Sequence, residues 1–356
     1  MKLQICLSIA AAVIFNSNVE AVPEERLVIG AEARKGIAII DPAEPGSDED
    51  HRVLWKSPVG PVHDIHLLPL ARLLTQDGWT SILEHRLDGT NTLIYDASTQ
   101  NRAPDDGKIE IHAIQPLNSD RGIKLSRRVT SITGQLTSEF DFGAIMLAES
   151  GAGRIIEIDR AGNLLFEMPL QVSKPNAHSD TRRVRKLASG NYLVAHEADQ
   201  RVKEYRPDGT VIWDYPIPLF GKKPKKGHGP DGFGGRCFAA IKRANGNYLI
   251  ATGNGHSVLE VTPAKEIVWK LEQNDLPGIT LAWVTTIEER PNGNLMIGNC
   301  HAGPDNPQII EITRDKDVVW TFRDFETFGN ALSSTLVLDG DQAIALLANL
   351  QGHLSR

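Results

Sequence analysis

The chain has 356 residues, 41% of them hydrophobic, and a formal net charge of −7. A mildly acidic balance gives no reason to expect nucleic acid as a partner, and the length is enough to bury a sizeable core. Only three cysteines occur, Cys6, Cys237 and Cys300, which excludes a disulfide-rich scaffold.

Residues 1–21 carry Lys2 as a basic flank, an apolar run from Ile5 to Phe15, and Val19-Glu20-Ala21 as a small-residue cleavage site. This reads as a secretory signal peptide, so a single mature domain over 22–356 is expected in a secreted or periplasmic setting. No later stretch is apolar for long enough to cross a bilayer. Cys237 and Cys300 survive signal removal and are expected as free thiols.

From residue 27 onward, short apolar runs alternate with Gly, Asn and Pro turns, the pattern of strands in a meander. The phrase is clearest at 246–270, GNYLIATGNGHSVLEVTPAKEIVWK, and returns at 190–213 and 293–320. Trp213, Trp269 and Trp320 lie 56 and 51 residues apart, a spacing that implies a propeller or an array. Weaker copies run back to the start, each closed by an aromatic residue: Trp55, Tyr95, Phe166, Trp213, Trp269 and Trp320. Each unit has a further strand before its turn, at 63–68, 112–117, 182–187, 237–242 and 282–288. The expected fold is therefore all-β, a six-bladed β-propeller of four-stranded antiparallel blades. Residues 330–338 look like a lone inner strand that completes the blade begun by 27–56, which hides both sheet edges. Ala343 to Leu347 reads as a further strand after Asp339-Gly340.

Two segments break the pattern. Leu68-Pro69-Leu70-Ala71-Arg72 stands where other blades carry Asn-Gly. Some 26 extra residues, 118–143, carry Arg121, Lys124, Arg127 and Arg128 and read as a solvated loop. Lys222, Lys223, Lys225 and Lys226 form a second basic run, able either to steer an anionic substrate or simply to solvate a loop.

The repeat, with its GNYLIA and EIVW phrases, resembles the secreted bacterial propellers called pyrroloquinoline-quinone-like or arylsulfotransferase-like, over nearly the whole mature chain. The His-Asp-Ile-His phrase at 63–66 resembles the opening of an arylsulfotransferase-type blade. That resemblance implies sulfotransfer through a histidine nucleophile as one activity. Pyrroloquinoline quinone is not an expected cofactor, because there is no vicinal cysteine pair and there are six units rather than eight.

In such a blade, the connection into the inner strand and the turn between strands two and three open on one face. His63, His112, His178 and His228 fall at the connections, and His196, His256 and His301 at the turns, so seven of the eleven histidines share that face. Imidazole serves near neutral pH as acid, base or metal ligand. The catalytic candidates are His63, His112, His178, Arg182, His228, His256 and His301, expected to converge at the channel mouth. Asp64, His66, Glu149, His196, Glu197, Asn254, Asn299 and Trp283 are the candidate substrate-binding residues. A divalent metal ion held by three imidazoles is one expectation, and acid–base work by one or two of them is the other. The chain is expected to be a monomeric enzyme acting on a carbohydrate or other polar or anionic small molecule, by hydrolysis or elimination. Sulfotransfer and a non-catalytic binding face are the competing readings.

Overall fold

A computed structural model describes residues 25–32, 34–42, 51–100, 107–117, 142–173 and 175–354. The segment read as a signal peptide and the four cations of the insert after residue 117 lie outside the described residues. No described helix is long and apolar enough to cross a membrane.

Six four-stranded antiparallel sheets form the molecule. Their inner strands, Ile65–Leu68, Glu110–Leu117, Val184–Lys186, Ala239–Lys242, Trp283–Glu289 and Ser334–Asp339, each neighbour the next in a closed ring. This is a six-bladed β-propeller, with blades one to five in chain order. The sixth blade is assembled from both ends: Ser334–Asp339 pairs with Arg26–Glu32 from Ala31↔Ser334 to Arg26↔Asp339.

The local rules of the repeat explain each blade. Asn-Gly and Ser-Gly turns between strands one and two put Gly190, Gly246 and Gly293 at φ of 86°, 89° and 87°, a region where a Cβ is costly. The second and third strands are buried along both faces, as at Tyr248–Ala251 and Val258–Val261. A register shift recurs between strands three and four of all six sheets, twisting the outer strand away from the next blade's core. The closing aromatics then reach across: Trp213 stacks on Tyr248 at 3.8 Å, and Arg314 sits 4.1 Å over Trp269.

One expectation is corrected. Residues 341–354 form an α-helix, Asp341–Leu354, rather than a strand. Ala343, Leu346 and Leu350 recur at helical spacing and pack into the core of the closing blade; a five-residue apolar window cannot tell the two periods apart. The Leu68 to Arg72 segment is a 3₁₀ turn over Pro69–Ala71, with Leu70 at φ 62° and Ala71 at φ 55°.

Candidate functional site

The connections into the inner strands and the second-to-third turns do meet on one face, but the histidines there divide into two clusters. The first lies where blades one, two and three come together. Gln76 Oε1 accepts hydrogen bonds from the backbone N–H groups of His63 (3.1 Å) and Asp64 (3.0 Å), and Arg183 donates to the His63 carbonyl at 3.1 Å. His112 stands at the register shift between Ile111 and Ala113, where the bulge turns its ring out of the strand's alternation. His178 comes from the connection into blade three, and Arg182 follows four residues later.

The rings of His63 and His112 stack at 4.8 Å, with Trp79 at 5.2 and 5.3 Å from them and at 5.3 Å from His178. His63 Nδ1 lies 2.7 Å from His112 Nδ1, and Arg182 Nη1 lies 3.0 Å from the latter. These contacts assign the tautomers. His112 Nε2 faces only acceptors, the Ala177 carbonyl at 3.0 Å and Glu110 Oε2 at 3.4 Å, so it carries the proton. Its Nδ1 is then the acceptor for Arg182 and for His63 Nδ1–H, so Arg182 Nη1, which also lies 3.3 Å from His63 Nδ1, donates to His112 and not to His63. His63 Nε2 is left with a bare lone pair and no hydrogen-bond partner among the described residues.

Electrostatics keep it so. Burial, then the charges of His112, Arg182 and His178, hold His63 well below the ordinary imidazole value. Burial and then Arg182 push His112 down to about 4. The positive charge of the cluster rests on Arg182, which is buried, donates through Nε to Glu197, and has no partner at Nη2 among the described residues. Burial pushes the Glu110 carboxyl up, but hydrogen bonds from His112, Lys108 and His178 outweigh it and hold it well below the usual range.

Asp64 and His66 lie deeper. Arg185 grips Asp64 through two bonds of 2.7 and 2.8 Å, and although burial raises its pKa, Arg185 and Arg183 hold it ionised. His66 Nε2 bonds the Ile114 carbonyl at 2.7 Å.

The second cluster belongs to blades four and five. His228 lies 4.9 Å from Trp283 and 5.2 Å from His301. The remaining predicted residues are elsewhere or already engaged. His256 is 1% exposed and lies with its two ring nitrogens against the carbonyls of Ala282 and Gly232, so it braces a loop and does not join the pocket. His196 is buried against Tyr205, 2.8 Å from its hydroxyl. Glu149 bridges blades through Tyr95 (2.6 Å) and Arg154 (2.7 Å). Asn254 and Asn299 spend their amides on turn backbone at 2.8 to 3.1 Å. Convergence of six histidines on one pocket is therefore corrected to two groups, with His256 in neither.

Sequence reasoning missed Glu110, Phe238, Arg183, Arg185 and Arg236. Phe238 lies 5.9 Å from the His63 ring and 5.3 Å from the Arg182 guanidinium. Its signal was its place beside Cys237 in the connection into blade four, at the position Asp64 occupies in blade one. Glu110, His112 and His178 bring ligand atoms within 4.8 Å of one another, a donor set of two imidazoles and a carboxylate rather than three imidazoles. An ion there requires His112 Nε2 to give up its proton and its bond to Ala177, which turns Nδ1–H against the Arg182 guanidinium. Both cysteines are free and buried.

No protein-family model matches the chain, and no curated protein matches it. Among solved structures it is similar to a protein of unknown function from Bacteroides caccae, at 20% identity and TM-score 0.65, covering 89% of this chain and 100% of that one. A chain of a nidogen/laminin complex matches at 12% identity and TM-score 0.54, covering 88% and 98%. A catalytically inactive virginiamycin B lyase from Staphylococcus aureus with quinupristin matches at 11% identity and TM-score 0.50, covering 86% and 84%. At these identities the likeness is one of fold: the chain is built as a β-propeller, like its structural neighbours.

Proposed function

We propose that the protein is a secreted or periplasmic enzyme that cleaves an acidic carbohydrate by elimination at the pocket of His63, Trp79, His112, His178 and Arg182. One observation carries this reading. The unprotonated, unpartnered Nε2 of His63 stands beside the guanidinium of Arg182, whose Nη2 is also open. A neutral imidazole is a base, and a guanidinium next to it stabilises the charge the base creates.

In the reaction, a substrate carboxylate lies against Arg182 and His63 Nε2 takes the proton from the carbon next to that carboxylate. The freed electron pair forms a carbon–carbon double bond as the bond to the leaving oxygen breaks. His178, exposed at the rim, is placed to return a proton to that oxygen. Glycoside hydrolysis needs a carboxylic acid with a raised pKa. Glu110, which bonds His178, is held in the ionised state and does not supply it. The tautomer of His112 speaks against a metal between Glu110 and His178, so the step is read as metal-independent. The lyase among the structural neighbours supports the reading only by showing that this fold can house such a reaction.

Ultraviolet detection of unsaturated uronates, run on polygalacturonate, alginate and glycosaminoglycans, tests it. Turnover should survive chelation and fall by at least a hundredfold in His63→Ala with the melting temperature unchanged. Loss on chelation moves the reaction to a metal at Glu110, His112 and His178. Transfer of sulfate from an aryl sulfate, with an N-sulfohistidine adduct trapped on His63 as the phenol leaves, selects the second reading, which the open Nε2 of the His63-Asp64-Ile65-His66 phrase also suits.

A further inference from the structure

We infer that the pocket continues into a second subsite, made by Arg236, Phe238, Trp283, His228 and His301, so that the substrate is an acidic oligosaccharide rather than a single acidic sugar. This deepens the acid–base reading and rests on it for the position of the reacting unit. Phe238 is the physical link. It touches His63 and Arg182 on one side, and on the other it packs in one buried cluster with Trp283 and Cys300.

Beyond Phe238, the side chains have unused bonding capacity. The rings of His228 and His301 form no hydrogen bond among the described residues, whereas those of His66, His85, His112, His196 and His256 all do. The placement of both rings is built. His256 braces the Gly232 carbonyl, and Lys225 and Phe233 pair backbone to backbone, which fixes the loop carrying His228 above Trp283. His301 is held at φ 61°, a conformation that is strained for a non-glycine residue and persists where its surroundings impose it. Burial, then the charge of His228, pushes His301 down to about 4. A neutral imidazole offers one donor and one acceptor, which suits sugar hydroxyls.

Charge selects the class. Among the described residues Glu197 is the one carboxylate between Arg182 and Arg236, so one positive charge of the pair is left without a counter-charge there. The Arg236 side chain is 51% exposed and uses only Nη1, at 3.3 Å from Glu197. An anionic group on the second sugar completes it, and a carboxylate or a sulfate ester meets the same requirement.

Calorimetric titration of the full chain tests this, with galacturonic acid, a hexagalacturonate and a chondroitin sulfate hexasaccharide as probes. A hexasaccharide should bind at least tenfold tighter than the monosaccharide, and its identity tells carboxylate from sulfate. The double variant His228→Ala/His301→Ala should bring that ratio close to one, while retaining the unfolding cooperativity of the parent. Equal affinity for monomer and hexamers in the parent, an unchanged ratio in the double variant, or binding of none of the three would overturn the inference. Loss of turnover in His63→Ala with the length ratio intact separates failure at the second subsite from failure of the acid–base reading.

Discussion

Two imidazoles stacked beside a guanidinium cannot share a low-dielectric pocket while all three are charged, and here Arg182 keeps the charge. The consequence reaches stability as well as chemistry. His112 titrates at about 4 in the folded chain because burial and then Arg182 oppose its charge, and near ~6.5 when unfolded. As the pH falls through that window the unfolded chain binds a proton that the native chain refuses, so stability is present above it and lost on descending. The effect is roughly 3 kcal/mol for His112 at full extent, and His196 and His301, also pushed down to about 4, act in the same direction. Melting temperature should fall steadily from about pH 7 to about pH 4, less steeply in His112→Ala; a flat profile in the parent would contradict the neutral cluster. The sequence shows that histidines crowd this face, since the repeat gives every blade the same connections. It does not show which rings are bonded. His256 and His301 hold equivalent turns, yet two carbonyls occupy the first and none the second, a difference set by contacts between blades.

At the scale of the strand, the repeat hides a second regularity. In blades one to five the third strand carries a glutamate that reaches the following blade: Glu84 to Arg160, Glu157 to Lys186 and Tyr192, Glu204 to Lys242 and Tyr248, Glu260 to Arg314, and Glu311 to Arg26. The IIEI, VKEY and VLEV phrases display these glutamates openly, but as a polar step in a strand each reads as solvent-facing. Only the closed ring turns them inward against the next blade. In Glu204→Ala the Lys242 ammonium, the Tyr248 hydroxyl and the Asn191 amide lose their common acceptor. The expected cost is about 2–3 kcal/mol, since the group removed bonded a charge and left polar partners behind. Glu204→Gln, which keeps an acceptor, should cost less, and chemical denaturation of both variants measures the order. Equal losses would assign the effect to packing.

For the whole molecule, closure is the decisive feature, and the sequence displayed it through two mismatched ends: three strands without an inner partner and one inner strand without a blade. The helix after that inner strand was not legible, because Ala343 to Leu347 is too short to show its period and only the apolar floor of the closing blade selects the helical spacing. Strand and helix have separable roles, so two truncations should behave differently. Ending the chain at residue 340 removes Asp341–Leu354 but keeps Ser334–Asp339 paired with Arg26–Glu32. The loss is then mainly the burial of Leu346 and Leu350, roughly 3–6 kcal/mol, and unfolding should stay cooperative at a lower midpoint. Ending it at residue 332 also removes the inner strand, frees one edge of Arg26–Glu32, and breaks the Arg26 and Arg290 bonds to Asp339. An open sheet edge facing a gap in the ring favours association with other chains, so this form should be insoluble or melt without a cooperative transition. Calorimetry on the two forms side by side decides the matter. If the shorter one melts as cooperatively as the longer, the ring does not depend on its shared blade.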